Sequence, residues 1–231
     1  MVPDLSIIMP VLDEAPHIVE RLVHLQTLRE QGVELIVVDG GSADGTAELC
    51  GALANRVLLS ARGRATQMNT GAAASRGRVL LFLHADTRLP DLALQAVLTA
   101  IAGGASWGRF DVRIDSGHLV LRIVEAMMNW RSRLTGIATG DQAIFVLREI
   151  FTSVGAYPDL PLMEDIALCS ALKHVAQPAC LRETVVTSAR HWEKHGVLRT
   201  ILLMWRLRAA FFFGADPQQL ALRYGYRPRA S

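Results

Sequence analysis

The chain has 231 residues, of which 51% are hydrophobic and 6% aromatic, and its formal net charge at pH 7 is +2. This length suits one α/β domain, with or without an appendage, and the composition supplies an aliphatic core. Three widely spaced cysteines without a Cys-x-x-Cys pair argue against a zinc knuckle or a disulfide framework and favour a reducing compartment. The basic residues are in excess only after Thr187, which argues against nucleic acid as a partner.

Strand and helix patterns alternate through the first half of the chain. Short apolar runs bounded by turn residues predict strands at 5–10, 34–39, 57–60 and 79–84. Helical periodicity predicts intervening helices at 18–28, 46–53 and 65–74, and a further helix at 91–101. This order predicts a parallel sheet with right-handed crossovers.

The second half of the chain is less regular. Its patterns predict strands at 107–114, 141–146 and 184–188, and helices at 119–134, 164–175 and 197–213. The chain starts directly with an apolar strand, so we expect no secretion signal, and no apolar stretch reaches the length of a membrane span. We therefore expect a cytoplasmic protein.

Two acids follow strands of the predicted sheet, Asp39 after the second and Asp86 after the fourth. Ligands of open α/β sheets bind beyond the carboxyl ends of such strands. Between these acids, Arg62 and Arg64 precede a predicted helix start, a combination that suits a diphosphate. Together these residues predict a nucleotide site with a divalent metal. The segment after the first strand contains no glycine, which argues against a dinucleotide dehydrogenase or a nucleotidyltransferase.

Five motifs in order resemble one known family. They are S-I-I-M-P-V-L-D-E, V-V-D-G-G-S-A-D-G-T, R-G-R-A-T-Q-M-N-T-G-A, F-L-H-A-D-T-R-L-P and L-M-E-D-I-A-L, within residues 4–192. The chain resembles the inverting family 2 glycosyltransferases, and among them the small, soluble branch without membrane helices. The resemblance implies the GT-A fold, an α/β Rossmann-like three-layer sandwich with a mainly parallel central sheet. It also implies transfer of a sugar, with inversion, from a UDP- or GDP-linked donor to an acceptor hydroxyl. The acceptor would be a sugar, a lipid-linked molecule or a small molecule.

The resemblance also implies roles for individual residues. The donor would be held by Pro10, Leu12, Glu14, Asp39, Arg64, Ala85 and Asp86, with Asp39 on the base and Arg64 on the diphosphate. Asp86 would bind Mg²⁺ or Mn²⁺, with His191 as a second metal ligand. Asp165 would be the general base. The sugar or acceptor pocket would be lined by Gly140, Asp141, Gln142 and Glu164.

The chain departs from the family pattern in two places. His84 replaces the first acid of the D-x-D motif, which leaves one carboxylate for the metal. Arg190-His191-Trp192 lacks the glutamine of the processive motif, which argues against a polymerising synthase. A non-catalytic nucleotide-sugar-binding or membrane-associated module is the alternative function.

Plainer interpretations of several residues stay open. Asp39 could cap a turn, and Glu164 and Asp165 could be acids favoured by a helix dipole. Arg64 could be a solvated residue at a helix start, and His84 a structural residue.

We expect residues 1–196 to form the glycosyltransferase domain and residues 197–231 a helical extension that is both apolar and basic. The extension could pack on the domain, form a homodimer or lie on the inner face of a membrane. The spacings of seven and two residues between Arg199, Arg206 and Arg208 predict that they lie on roughly one side of the helix.

Overall fold

The computed structural model describes residues 3–226, apart from the side chains of His191 and His195. The strands are β1 (Leu5–Val11), β2 (Glu34–Asp39), β3 (Arg56–Leu59), β4 (Val79–Phe82), β5 (Thr87–Arg88), β6 (Trp107–Asp115), β7 (Phe145–Leu147) and β8 (Ala179–Ser188). The helices are α1 (Ala15–His24), α2 (Gln26–Glu30), α3 (Thr46–Cys50), α4 (Arg64–Ala74), α5 (Ala93–Ala102), α6 (Leu119–Thr135), α7 (Arg148–Ser153), α8 (Glu164–Lys173), α9 (Arg190–His195), α10 (Val197–Phe212) and α11 (Pro217–Tyr224).

The strands form one mixed sheet in the order β3-β2-β1-β4-β7-β6-β8-β5 within the described residues. The four strands β3, β2, β1 and β4 are parallel, as the alternating pattern predicts. β7 runs antiparallel to both of its neighbours, and β6 pairs in parallel with β8. The predicted α/β class with a mainly parallel central sheet is confirmed.

Helices cover both faces of the sheet because β1, β2 and β4 are apolar on both sides. On one face, Ile7 of β1 belongs to an apolar cluster that includes Leu22 of α1 and Val97 of α5. On the other face, Ile8 packs in a cluster with Met68 of α4 and Leu168 of α8. Successive residues of β1 therefore enter opposite layers, which gives a three-layer arrangement.

The predicted strand at 141–146 is wrong in its first half. Residues Gly140–Gln142 form a 3₁₀ turn in which Thr139 and Gln142 make a reciprocal capping box. The strand β7 begins only at Phe145. The predicted strand at 184–188 is the end of the longer β8, whose exposed Arg182 and Glu183 interrupt the apolar pattern on which the prediction relied.

The C-terminal helices pack against the segment that precedes α8. Leu207 of α10 and Leu220 and Ala221 of α11 form a separate apolar cluster with Leu162 and Met163. Between residues 3 and 226, no helix combines the length and the apolar character needed to cross a membrane. The domain boundary at residue 196 stays a prediction.

Gly71 lies where α4 approaches β1 and β2. A Cβ atom at this position would lie 2.4 Å from Cγ2 of Ile8 and 3.0 Å from Cγ2 of Val38. We expect Gly71→Val to lower the free energy of unfolding by about 1–3 kcal/mol, because added volume in a packed core strains it. The exposed Ala73→Val on the same helix is the control and should cost less than about 1 kcal/mol. Equal urea midpoints for the two variants would contradict this account of the helix–sheet contact.

Two of the three free cysteines are fully buried. Burial raises the pKa of Cys50 to about 11 and the pKa of Cys169 to about 12. Because the thiolate is the reactive form, we expect neither thiol to react with a disulfide reagent at pH 8 in the native protein. All three should react after unfolding. Mass spectrometry of the labelled protein would identify the sites, and rapid native labelling of Cys50 or Cys169 would refute the prediction.

Candidate active site

A cavity of about 400 Å³ lies at the carboxyl ends of β1 and β4. Its walls come from the ends of these strands and the segments after them, from the start of α4 and from the second half of the chain. The lining residues from the first three segments are Pro10, Val11, Leu12, Glu14, Arg62, Gly63, Arg64, Gln67, His84, Ala85 and Asp86. The C-terminal part contributes Asp141, Pro161, Leu162, Thr187, Ser188, Trp192, Thr200, Met204, Tyr224 and Tyr226. Seven predicted site residues therefore line one cavity: Pro10, Leu12, Glu14, Arg64, Ala85, Asp86 and Asp141.

The side chain of Gln67 holds the floor of this cavity together. Its Nε2 donates hydrogen bonds to the carbonyl oxygens of Val11 (2.9 Å) and Val38 (2.8 Å), at the ends of β1 and β2. A Cβ atom at Gly40 would lie 3.0 Å from Oε1 of Gln67, so the small residue after β2 makes room for this amide. Gln67 is 4% exposed, and its role was not predicted from the sequence.

The loop after β1 is fixed by the loop after β2. The backbone N–H of Glu14 donates to Oγ1 of Thr46 (2.9 Å), and that of Ala15 donates to Oδ2 of Asp44 (2.9 Å). The carboxylate of Glu14 in turn accepts a hydrogen bond from Nη2 of Arg190 at 3.1 Å. Glu14 is therefore held in the cavity wall from two sides.

The start of α4 makes one side of the cavity basic. Nη1 of Arg64 lies 3.8 Å from Oε1 of Glu164, and about half of the Arg64 side chain stays exposed. The guanidinium carbon of Arg62 lies 5.8 Å from the ring centre of Tyr226, a cation–π distance. Two guanidinium groups beside a helix amino terminus can bind a phosphate group.

His84 and Asp141 form a pair in the cavity wall. Nδ1 of His84 lies 3.4 Å from Oδ1 of Asp141. Burial alone would lower the pKa of His84, but the hydrogen bond and charge of Asp141 outweigh it and raise this pKa. Burial would likewise raise the pKa of Asp141, but His84 and nearby arginines lower it. Gly140 allows the close packing, since a Cβ atom there would lie 2.2 Å from Cε1 of His84.

Asp165 lies in the first turn of α8 and is tied to the same wall. Its Oδ2 accepts a hydrogen bond from the backbone N–H of Gly140 at 2.8 Å. Asp165 is not one of the residues that line the cavity, but its charge acts on Arg64 of the cavity wall. Its neighbour Glu164 is buried, and burial together with the charge of Asp165 raises the pKa of Glu164.

Two arginines that were not predicted as site residues lie near Asp165. Burial and the charge of Arg208 lower the pKa of Arg131 to about 10, while Asp165 opposes this effect. Burial also lowers the pKa of Arg208, against the opposing charges of Asp165 and Asp141. Within the described part of the chain, Nη2 of Arg131 and Nε of Arg208 are buried without a hydrogen-bond partner.

The prediction that Arg208 shares a side of the helix with Arg199 and Arg206 is wrong. Arg199 and Arg206 are exposed, whereas Arg208 is half-buried and faces the acids of the site. Residues 206 and 208 are about 200° apart around a helix, so the sequence spacing itself carried this signal. Residues 200, 204 and 208 follow one another at helical spacing on the site-facing side of α10.

Two of the predicted site residues, Asp39 and Gln142, do not line the cavity, and a third, His191, has a side chain that the structure does not describe. Asp39 is 1% exposed, and its carboxylate accepts hydrogen bonds from the backbone of Gly41 (3.0 Å) and Ser42 (2.9 Å). It caps the turn after β2 and does not line the cavity, which favours the turn-cap interpretation. Gln142 is fully buried and donates to Oγ of Ser132 at 3.1 Å, away from the cavity. The side chain of His191 lies outside the described part of the chain.

The side chains of the cavity offer a divalent cation few protein ligands. Across the described residues, no three His, Cys, Asp or Glu side chains form a cluster that could hold a metal ion. Asp86 does offer a carboxylate to the cavity, with one hydrogen bond at 3.3 Å from Oγ1 of Thr87. Mg²⁺ is typically bound by one or two carboxylates, substrate phosphates and water. The residues present fit a cation of this kind when phosphate oxygens complete its coordination.

Comparisons with known proteins agree with this architecture. Glycosyltransferase AglE of Haloferax volcanii is 27% identical over 173 residues, which cover 68% of this chain and 57% of that protein. S. aureus TarS 1-349 in complex with UDP has a TM-score of 0.66 at 18% identity, with 80% of this chain and 60% of that chain covered. Mannosyltransferase PcManGT from Pyrobaculum calidifontis, in complex with GDP-Man and Mn²⁺, has a TM-score of 0.65 at 21% identity, with 91% and 61% covered.

The chain thus spans about three fifths of the length of each of these proteins. The two solved structures share the GT-A arrangement with this chain, which confirms the predicted fold. The model of the family described as glycosyl transferase family 2 matches residues 6–148. Because this match covers more than half of the chain, the protein belongs to glycosyl transferase family 2.

Proposed function

We propose that this protein transfers a sugar, with inversion, from a nucleotide-diphosphate sugar to an acceptor hydroxyl. The observation that carries the proposal is the composition of one cavity. Asp86, Arg62 and Arg64 meet there at the carboxyl ends of β1 and β4, and the His84–Asp141 pair connects this wall to Asp165.

The donor would occupy the cavity with its base near Pro10, Leu12 and Glu14. Its diphosphate would then face Arg64 at the amino terminus of α4, where backbone N–H groups and the guanidinium both favour negative charge. The ligands of the two related structures, UDP and GDP-Man, support a UDP- or GDP-linked donor.

Asp86 is the residue proposed to hold Mg²⁺ or Mn²⁺. The Mn²⁺ in the PcManGT complex supports a divalent cation here. Such a cation, when bound, would offset negative charge on the diphosphate. Arg64 would do the same from the protein side, as a fixed positive charge that needs no rearrangement during the reaction.

Asp165 is proposed as the general base. The N–H of Gly140 fixes one of its oxygens, and Arg131 and Arg208 place positive charge nearby. The acceptor oxygen would attack the sugar from the face opposite the diphosphate while Asp165 accepts its proton. The acceptor would be a sugar, a lipid-linked molecule or a small molecule that enters beside Asp141.

The C-terminal extension would complete the site. We keep the proposed division into residues 1–196 and 197–231. Met204 of α10 and Tyr224 of α11 nevertheless line the cavity together with residues of the first part. The extension is therefore proposed to form one wall of the donor site.

A binding experiment tests the donor half of this function. We expect Mn²⁺ to strengthen binding of UDP or GDP to the native protein, as measured by isothermal titration calorimetry. Asp86→Asn should abolish this enhancement and weaken binding in Mn²⁺ at least about tenfold, because the carboxylate that attracts the cation is lost. Asp91→Asn removes an exposed acid nearby and should leave binding unchanged. Equal effects of Mn²⁺ on the native protein and on Asp86→Asn would reject Asp86 as the metal residue.

A second variant tests the catalytic half. We expect Asp165→Asn to bind donor normally but to lose about 10²–10⁴-fold in transfer, the usual contribution of a positioned base. Transfer is measured as release of nucleoside diphosphate from UDP- and GDP-sugars with sugar, small-molecule and lipid acceptors.

Asp141→Asn serves as the comparison, because Asp141 directly follows Gly140, which donates to Asp165, and because Asp141 lines the cavity. Loss of transfer in Asp141→Asn with full transfer in Asp165→Asn would move the base to Asp141. Donor binding by the native protein without transfer to any acceptor would favour the non-catalytic module.

A further inference from the structure

Helix α6 carries a continuous apolar stripe that faces solvent. Residues at spacings of three and four along the helix stay exposed, namely Leu119, Ile123, Met127, Trp130 and Leu134. The opposite side of α6, with Leu121 and Val124, is buried. Packing against the core therefore accounts for the apolar residues on one face of α6 but not for those on the exposed face.

Helix α10 carries a second exposed stripe. Its members are Leu198, Leu202, Trp205 and Phe212, and Phe213 follows directly after the helix. Phe212 and Phe213 are 82% and 84% exposed, and Trp130 and Trp205 are 67% and 56% exposed. Exposed aromatic residues of this size in one region are typical of an interaction surface.

The two stripes lie on neighbouring helices. Leu121, Val124 and Met128 of α6 share an apolar cluster with Val197 and Ile201 of α10. The inner faces of the two helices thus contribute to one apolar cluster, and we call the two exposed stripes together the α6–α10 face. The sequence indicated a possible membrane contact only for the C-terminal extension, whereas the α6–α10 face also includes the exposed stripe of α6.

The charges of the two helices have one sign. Together they carry six arginines and a single acid, Glu125. Arg131 and Arg208 lie near Asp165, and Arg133 pairs with Asp111, so the exposed Arg199 and Arg206 supply most of the positive charge on the outer surface. Glu125 is buried and lies 2.9 Å from Arg122, so it adds little negative charge to the surface. A second copy of this chain would bring like charges together, whereas an anionic surface would be attracted.

A groove beside the α10 stripe is lined by both basic and apolar side chains. It has a volume of about 650 Å³ and is lined by three arginines, Arg199, Arg206 and Arg223, over an apolar floor of Leu202, Leu203, Leu207, Ala210 and Leu220. Guanidinium groups above an apolar floor match a phosphate with an attached acyl chain.

We propose that the α6–α10 face lies in the interface of a membrane containing anionic phospholipids. The exposed aromatic and aliphatic stripes enter the headgroup region, and the three arginines of the groove bind lipid phosphates. Thr200 and Met204, on another side of α10, line the cavity at the sheet, so α10 connects the membrane surface to that cavity. Membrane binding through this face does not require transfer activity.

Vesicle sedimentation of the full chain tests the proposal. In 50 mM NaCl we expect the protein to sediment with vesicles of phosphatidylcholine and phosphatidylglycerol and to bind pure phosphatidylcholine much less. Arg199→Gln/Arg206→Gln should weaken binding about 30-fold, since each basic residue near an anionic surface contributes about 1 kcal/mol. The control Arg56→Gln/Arg78→Gln removes the same charge at the amino ends of β3 and β4 and should change binding little.

A second pair of variants tests the apolar stripes. Trp130→Ser/Trp205→Ser should weaken vesicle binding at least about tenfold, because two large apolar side chains no longer enter the interface. Val23→Ser/Leu49→Ser alters exposed apolar residues of α1 and α3 and is the matched control. Circular dichroism checks that the variants are folded. In the native protein, brominated lipids should quench tryptophan fluorescence, a readout that needs no variant.

Three results would overturn the proposal. The first is native protein that stays in the supernatant with anionic vesicles at low salt. The second is a dimer in analytical ultracentrifugation that Trp130→Ser/Trp205→Ser converts to a monomer, which would assign the face to a second copy. The third is inorganic phosphate at millimolar concentration displacing the protein completely from vesicles, which would assign the groove to a free anion. Calorimetric donor binding, measured without vesicles, is independent of all three.

Discussion

The side-chain amide of Gln67 joins the ends of two parallel strands, β1 and β2, at the floor of the cavity. One nitrogen donates to the carbonyl of Val11, the last residue of β1, and to that of Val38 near the end of β2. The Val11 carbonyl also accepts from the N–H of Gly40 at 3.0 Å, so the amide adds a second contact between the ends of the two strands. This contact requires α4 to stand close to the sheet, which Gly71 permits, and it requires a small residue after β2, which is Gly40. The position of α4 then determines where Arg62 and Arg64 enter the cavity. The cavity thus depends on a packing constraint as much as on its charged residues.

The charged groups around the cavity depend on one another. Three acids lie among four basic side chains, so that each charge has an opposite charge nearby. The acids are Asp141, Glu164 and Asp165, and the basic residues are Arg64, His84, Arg131 and Arg208. Burying one of these groups alone would be costly, because a desolvated charge needs a partner. Within the described residues, Nη2 of Arg131 and Nε of Arg208 are buried without a hydrogen-bond partner, so their charges are balanced by the nearby acids alone.

Much of the fold could be predicted because apolar runs and helical spacing report burial directly. The strands β1, β2 and β4 are continuous apolar runs, and each lies in the predicted place. The 3₁₀ turn at 140–142 was missed because an apolar segment near Ile144 resembles a longer strand, while the turn depends on a side-chain exchange between Thr139 and Gln142. Local patterns carry little information about such reciprocal contacts.

The sequence predicted the location of site residues well where they follow a strand of the parallel sheet, and less well where they lie elsewhere in the chain. Asp86 and Arg64 lie in the cavity because the ends of parallel strands share an edge of the sheet. Asp39 follows the same rule in sequence, yet its own turn uses both carboxylate oxygens. Arg131, Arg208 and Tyr224 come from helices distant in the chain, so only tertiary packing brings them to the site.

The wall formed by α10 and α11 packs on a small apolar cluster, and the start of α10 also packs on the cluster that it shares with α6; both are separate from the two that cover the sheet. Contacts of this size can break while the larger layers stay intact, so the last helices form a unit that is able to open locally. A bulky ligand can then reach the cavity from the side by displacing this wall, and the strands that carry the charged groups need not move. We expect the ease of such an opening to depend on the five buried side chains of this cluster, two before α8 and three in α10 and α11, among them Leu207 and Leu220.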